Sequence, residues 1–244
     1  MSGPRMDAGA QRLMVWSGPV VVVTFIIGLV PLSHFIPAPR PTASGEEIAA
    51  LFRDDSTEIR IACALMMVGI TFFATWGAGI TVWIRRMEAG FPVLTYGSLI
   101  LLGAGTVYFS SIPLVWALAS FRPEIAPDTI RMLNDLAWFL FLFSWPPFGV
   151  WAALVGVAIL RDHHTPALFP RWLAYLSFWA ALLLTPATLM VFFKTGPFAF
   201  NGLITLYVPL IVYLAWMVVM TKVVLGAITK REHEQSRDVA TVTG

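Results

Sequence analysis

The chain has little charge and almost no cysteine. Asp, Glu, Lys and Arg make up 12% of its 244 residues, whereas soluble domains carry roughly 25%. Cys63 is its single cysteine, so no intrachain disulfide can form. The sequence also lacks the G-x-x-x-x-G-K-[ST], H-E-x-x-H and G-x-S-x-G patterns that mark nucleotide hydrolysis, zinc proteolysis and elbow-type serine hydrolysis. Because 58% of the residues are apolar and the mean hydropathy is +0.77, the sequence predicts an integral membrane protein.

Six apolar runs are each long enough to cross a bilayer, which takes about 20 residues for roughly 30 Å of hydrocarbon. They predict an all-α, polytopic transmembrane helix bundle that forms a single domain over residues 1–228. The predicted spans are residues 13–36, 60–84, 93–119, 131–160, 172–193 and 203–227. A cleaved signal peptide is the alternative for the first run, although that run exceeds the usual core of roughly 7–15 residues. The last residues, 229–244, form a polar cytoplasmic tail with a composition typical of disorder.

Two local patterns add detail to the bundle. Ser44 followed by Glu47 fits a capping box, and the apolar spacing after it predicts a short amphipathic helix over residues 46–53 at the membrane surface. Pro146 and Pro147 lie in the middle of the fourth span and predict a kink. Proline within other spans is compatible with helices, because neighbouring helices and Ser or Thr side chains satisfy the carbonyls that proline leaves unbonded.

The distribution of Lys and Arg predicts that both termini are cytoplasmic. Of the 16 such residues, ten fall in the N-terminal segment, the loop at Arg85 and Arg86, the loop at 161–171 and the C-terminal segment. The other three loops hold six. Since cytoplasmic segments retain positive charge, the prediction is N-in and C-in.

Three runs of sequence resemble a known family. They are Phe193 to Gly202, Leu133 to Trp138, and Glu46-Glu47-Ile48 leading to Ile59-Arg60. Over about residues 30–220 the chain is similar to a widespread family of uncharacterised bacterial six-helix integral membrane proteins. The resemblance implies a six-helix fold and a multi-pass location in the bacterial cytoplasmic (inner) membrane, and it implies no activity.

Polar residues of these runs come together at the outer helix ends in the predicted topology. Ionisable side chains at the edge of a span are costly unless they are paired or solvated, so they form the candidate site. The predicted pairs are Arg60 with Asp135 and Asp135 with Lys194. The alternative is structural, since such residues also snorkel to headgroups, complement helix dipoles and build turns. The candidate site residues are Glu58, Arg60, Asn134, Asp135, Lys194 and Asn201.

The histidines predict neither a metal site nor a cofactor. His163 and His164 are adjacent, and neighbouring residues on a helix point about 100° apart, so they are poor joint ligands. His34 stands alone, whereas a b-type haem needs two histidines at facing depths. We therefore predict no bound metal and no cofactor.

The aromatic residues offer a second hypothesis. Tryptophans of the second and fourth spans predict either ordinary packing or a pocket for an apolar, isoprenoid-like ligand, and the pocket requires that their rings do not face lipid. These tryptophans are Trp76, Trp83, Trp138, Trp145 and Trp151.

Three functions are compatible with the sequence. The first is a binding or accessory membrane protein with a polar cluster at its outer side. The second is a small membrane enzyme that acts on a lipophilic substrate, with acid–base help from Asp135 and Glu58. The third, a transporter, ranks last because polar side chains at mid-depth are scattered. The expected partners are the lipid bilayer and either a lipophilic small molecule or a membrane protein, and no nucleic acid is expected.

Overall fold

Six long apolar helical spans dominate the structure. The computed structural model describes residues 7–122 and 124–243, with side chains up to residue 237, and the described residues contain no β-strand. The spans are Ala8–Leu32, Ser56–Met87, Val93–Phe121, Pro127–Leu160, Arg171–Phe192 and Leu203–Arg237. This confirms the all-α six-span bundle, and we describe the chain as a multi-pass membrane protein.

The described residues form eight α-helices, of which all but α2 belong to the spans, and three short segments of other helical geometry. The π-helical segments are Gly28–Leu32 and Leu203–Tyr207, and a 3₁₀ segment covers Thr185–Phe192. The α-helices are α1 (Ala8–Ile27), α2 (Gly45–Asp54), α3 (Ser56–Met87), α4 (Val93–Phe121), α5 (Pro127–Phe143), α6 (Trp145–Leu160), α7 (Arg171–Leu184) and α8 (Val208–Thr243).

Two predicted local features are confirmed. Helix α2 begins with a capping box in which the Ser44 hydroxyl accepts from the Glu47 N–H and the Glu47 carboxylate accepts from the Ser44 N–H. The fourth span is interrupted at Ser144, between α5 and α6, directly before Pro146 and Pro147. Proline cannot donate a backbone hydrogen bond, which explains the interruption.

The polar tail differs from the prediction. Instead of ending near residue 228, α8 continues to Thr243. The Arg12 guanidinium donates to the Glu232 carboxylate at 2.7 Å and to the Thr229 hydroxyl at 3.2 Å, which ties this extension to the start of α1. Local pairing also favours the helix, since Arg231 lies 3.5 Å from Glu234 at the i,i+3 spacing.

The bundle therefore has two polar ends. We call the end that carries α2, residues 124–126 and the loop at 193–202 the α2 end. The opposite end, with the loops at 88–92 and 161–170 and the extension of α8, is the tail end.

An aromatic core joins the spans at mid-depth. Trp76, Trp151 and Trp216 are 1% exposed or less, and their rings meet edge to face with centroids 5.4 to 5.8 Å apart. The Trp76 indole donates to the Thr221 hydroxyl and the Trp216 indole donates to the Ser177 hydroxyl, each at 3.0 Å. These contacts fix α3, α6, α7 and α8 relative to one another, because aromatic pairs combine a large buried area with a preferred geometry.

Small residues bring α1 and α3 into close contact. Gly69 of α3 faces Thr24 of α1 so closely that an added Cβ would overlap the Thr24 hydroxyl and lie 2.8 Å from its Cβ. Nearby, the Ser17 hydroxyl accepts from the Thr75 hydroxyl at 2.9 Å. Close backbone approach with hydrogen bonds between helices is typical of packing within a bilayer.

Asp162 organises the loop at the tail end. Its buried carboxylate accepts hydrogen bonds from the backbone N–H groups of His164 and Leu168, and it contacts the His164 ring nitrogen Nδ1 at 2.6 Å. Burial raises the pKa of Asp162, but the hydrogen bonds and the His164 charge outweigh it and hold the pKa below its ordinary value. The ionised carboxylate therefore stabilises the folded loop.

We expect Gly69→Ala to lower stability by roughly 1–3 kcal/mol, because the new methyl group would force α1 and α3 apart. Thermal unfolding of the purified protein in detergent measures this. The matched control is Gly103→Ala in α4, where nothing lies within 4 Å of an added Cβ. That variant should be as stable as the wild type or slightly more so, because alanine favours a helix over glycine. Equal effects at both positions would contradict the close approach.

We expect Asp162→Ala to destabilise the protein by roughly 1–3 kcal/mol near neutral pH, because the backbone N–H groups of His164 and Leu168 lose a charged acceptor. The lowered pKa of Asp162 means that its contribution is complete above its ordinary pKa of about 4 and is lost as the pH falls through the folded-state pKa. Thermal unfolding over a pH series should show the variant and the wild type converging at acid pH. Asp54→Ala, at an exposed carboxylate, is the control and should track the wild type throughout.

Candidate functional site

A compact turn positions the polar residues between the fifth and sixth spans. Gly196 has a positive φ of 79°, a conformation that glycine adopts without strain. At Gly202 an added Cβ would overlap the Pro197 carbonyl, whose oxygen also accepts from the Ile204 N–H at 3.1 Å. The turn places Phe200 flat against Trp138 of α5, with centroids 5.8 Å apart and planes 4° from parallel. The motif that carries the family resemblance is therefore a closed turn anchored on α5.

Asn134 is the most deeply buried of the candidate site residues. It is fully buried on the inward face of α5, one turn before Trp138. Its amide nitrogen and oxygen have no hydrogen-bond partner among the described protein atoms, and the same holds for the indole nitrogens of Trp116 and Trp138. The two tryptophan rings meet edge to face at 5.3 Å. This region therefore holds four buried polar atoms that have no hydrogen-bond partner among the described protein atoms.

Asp135, which follows Asn134, is half-buried and faces a different set of groups. Arg131 and Lys194 are the cations close enough to act on its carboxylate, and neither lies within 4.0 Å of it among the described residues. Arg60 instead donates to the Ser56 carbonyl at 3.0 Å and to the Thr57 hydroxyl at 3.3 Å, both within its own helix. The structure thus brings Asp135 and Lys194 near each other but engages Arg60 elsewhere.

The remaining candidate residues line no enclosed site. Glu58, Arg60 and Lys194 are exposed at the α2 end, and Asn201 is half-buried in the turn. The six residues share one end of the bundle, as the topology predicts, but they span a range from full burial to full exposure. They do not converge on one point.

An almost wholly apolar cavity lies elsewhere, at mid-depth in the bundle. Its volume is about 160 Å³, and all six spans contribute to its wall. Residues from α1, from the interruption between α5 and α6, and from the start of the sixth span make up most of the lining. They include Val21, Phe25, Leu29, Phe73, Phe109, Phe141, Ser144, Trp145, Phe148, Leu206, Pro209, Leu210, Tyr213 and Met217.

Two hydrogen-bond donors in this wall have no protein partner. The Tyr213 hydroxyl and the Trp145 indole nitrogen are both buried and unpaired among the described residues. The third polar group of the wall, the Ser144 hydroxyl, already donates to the Phe141 carbonyl at 2.6 Å. A buried donor without an acceptor costs about 1–3 kcal/mol, so each of these two groups gains stability when it meets an acceptor.

The predicted tryptophan pocket is only partly matched by this cavity. Trp76, Trp83, Trp138 and Trp151 are fully buried, so their rings do not face lipid. Of the five predicted tryptophans, however, only Trp145 lines the mid-depth cavity. Trp76 and Trp151 belong to the aromatic core instead.

Sequence reasoning missed Tyr213 and the lining from α1. A signal was present in the prolines, because the wall includes residues next to the distorted segments at Pro31, Pro146 and Pro209. Proline marks where a span departs from α-helical geometry, but it does not reveal which face of the span opens.

The described residues include no group of three or more His, Cys, Asp or Glu side chains arranged as metal ligands. The chain matches no protein-family model, and it has no significant similarity to a curated protein or to a solved structure. Membership of the six-helix family therefore stays a prediction.

Double-mutant cycles should separate the two predicted ion pairs. We expect Asp135→Asn combined with Lys194→Gln to show a coupling of about 0.2–1 kcal/mol, typical of a solvated pair. Asp135→Asn combined with Arg60→Gln should be additive within about 0.5 kcal/mol, because Arg60 bonds to its own helix. Chemical or thermal unfolding in detergent supplies the energies. A larger coupling for Arg60 than for Lys194 would contradict this arrangement.

Proposed function

We propose that the protein binds a neutral lipophilic molecule in the mid-depth cavity and acts as a binding or accessory protein of the membrane. The observation that carries the proposal is the cavity itself, an apolar space of about 160 Å³ lined by two residues, Trp145 and Tyr213, whose hydrogen-bond donors are unpaired. The other features of the site specify the ligand further.

The size of the cavity supports partial insertion of a ligand from the bilayer. An engineered apolar cavity of roughly 150 Å³ stays dry and binds benzene, whereas sites that enclose a drug-sized molecule measure about 300–1,000 Å³. A ring or a segment of chain fits the present cavity. Ile26 and Val30 at its rim are 47% and 44% exposed, which supports access from the lipid side.

The polarity of the wall supports a neutral ligand that carries an acceptor. The Tyr213 hydroxyl and the Trp145 N–H would each donate to a carbonyl, ether or hydroxyl oxygen. None of the described residues that line the cavity is charged. Because an ion at mid-depth is costly without a counter-charge, an ionised ligand is disfavoured.

The same wall supports binding over catalysis. Its described residues include no carboxylate, histidine or cysteine that would serve as acid, base or nucleophile. Asp135 and Lys194 are absent from the lining. The enzyme and transporter alternatives have no observation of this kind in their favour.

We further propose the N-in, C-in orientation and a location in the bacterial cytoplasmic membrane. The concentration of Lys and Arg at the tail end supports the orientation. The family resemblance supports the location and the membership it implies.

We expect gently extracted wild-type protein to retain a lipophilic molecule that native mass spectrometry and lipidomics detect. Tyr213→Phe and Trp145→Phe should each lower its retention by about three- to tenfold, because each removes one hydrogen bond. Leu210→Trp should abolish retention by filling the cavity. Asp135→Asn should retain the ligand at the wild-type level.

Two matched variants control for unrelated effects. Tyr108→Phe removes a phenolic hydroxyl outside the cavity lining, and Leu203→Trp enlarges an exposed side chain. Both should retain the ligand like the wild type. The proposal fails if no lipophilic molecule is retained, or if Leu210→Trp retains as much as Leu203→Trp while remaining folded. Loss of the ligand in Asp135→Asn alone would place the site at the α2 end instead.

A further inference from the structure

A second pocket lies at the tail end, where the loop at 161–170 meets α3 and α8. Its volume is about 290 Å³. Trp83 contributes from α3, the loop contributes residues 164–168, and α8 contributes Lys230, Arg231 and Glu234. The pocket is separate from the mid-depth cavity and shares no lining residue with it.

The electrostatics of this pocket favour an anion. Lys230 and Arg231 line it, and the half-buried Arg86 guanidinium sits over the Trp83 ring at 5.1 Å and is close enough to repel Arg231. Among the described residues, no carboxylate lies within 4.0 Å of Arg86. Glu234, the one acid in the wall, lies 3.5 Å from Arg231. The wall thus carries two cations and one carboxylate, with Arg86 as a third cation next to it.

The unpaired indole of Trp83 also favours a ligand that accepts hydrogen bonds. Trp83 is fully buried, and its indole N–H has no partner among the described protein atoms. Its ring is held by Phe169, with centroids 5.4 Å apart, as well as by Arg86. His164 also lines the pocket, and its Nδ1 is fixed by Asp162 at 2.6 Å. The wall therefore combines positive charge with a lining residue, Trp83, whose donor is unpaired.

We propose that this pocket binds an anionic phosphate group through Lys230, Arg231 and the Trp83 indole, with Arg86 adding to the positive potential. Phosphate oxygens accept from ammonium, guanidinium and N–H donors, and they neutralise the repulsion between Arg86 and Arg231. Basic pockets between helices at the membrane boundary suit lipid headgroups. The phosphate comes from an anionic lipid headgroup or from free phosphate, and the chemistry of recognition is shared.

The test compares vesicle-derived nanodiscs of pure phosphatidylcholine with nanodiscs that also contain phosphatidylglycerol, followed by native mass spectrometry of the released protein. We expect the wild type to retain phosphatidylglycerol. Lys230→Gln and Arg231→Gln should each lower retention about fivefold, as expected for one basic residue near the surface. Glu234→Gln should raise retention, because it removes the carboxylate from the wall.

Matched variants keep the test decisive. Lys222→Gln removes an exposed cation from the same helix outside the pocket and should change nothing. Trp83→Phe preserves an aromatic ring while it removes the unpaired N–H, and it should lower retention while the protein remains folded. A loss for Lys222→Gln equal to that for Lys230→Gln, or no gain for Glu234→Gln, would overturn the proposal.

A second arm identifies the source of the phosphate. Inorganic phosphate is added to the protein in phosphatidylcholine nanodiscs, and the thermal midpoint is recorded. A rise that Arg231→Gln abolishes identifies free phosphate as a ligand, whereas retention of phosphatidylglycerol without such a rise identifies the lipid headgroup. Absence of both effects in the folded wild type would refute the site.

Discussion

Every backbone polar group inside a bilayer must find a partner within the protein, and this constraint shapes the bundle. The spans contain prolines that remove such bonds. Pro186 has no N–H to donate to the Leu182 carbonyl, and that oxygen accepts instead from the Thr185 N–H and, at 2.7 Å, from the Thr185 hydroxyl. Around Pro31 the chain forms a π-helical turn instead of an α-helical one, and the Ser33 N–H donates to the Gly28 carbonyl at 3.1 Å. Residues of or next to these segments line the mid-depth cavity, with Leu29 and Val30 from the segment at Pro31 and Leu184 from beside the segment at Pro186.

The aromatic core gives that cavity one rigid wall. Phe73 lines the cavity and also packs against Trp76 and Trp151, with centroids 5.6 and 6.0 Å apart. It further contacts Phe148 edge to face at 4.9 Å and Tyr213 at 6.4 Å. The Tyr213 ring is thereby held between the core and the cavity. A donor that is fixed before the ligand arrives loses little conformational entropy on binding, which is how preorganised sites gain affinity.

The sequence was sufficient for the features that depend on local patterns. Apolar length predicted the six spans, the Ser44 and Glu47 spacing predicted the start of α2, and the proline pair predicted the break before α6. The candidate site was harder to predict, because packing rather than composition determines which face of each helix points into the bundle. Asn134 and Asp135 are neighbours in sequence, yet Asn134 is fully buried and Asp135 is half-buried with Arg131 and Lys194 close enough to act on its charge. Tyr213 had no sequence pattern that distinguished it from other aromatic residues of the spans.

The two proposed sites also constrain each other. Met217 in the cavity wall and Lys230 in the phosphate pocket both belong to α8, and 13 residues of helix separate them by about 20 Å. One leaflet provides about 15 Å of hydrocarbon. If a lipid headgroup binds at Lys230, an acyl chain of ordinary length therefore ends before it reaches the cavity. The two pockets select different chemistry at different depths, and a single molecule would fill both only if its chain extended past the midplane of the bilayer.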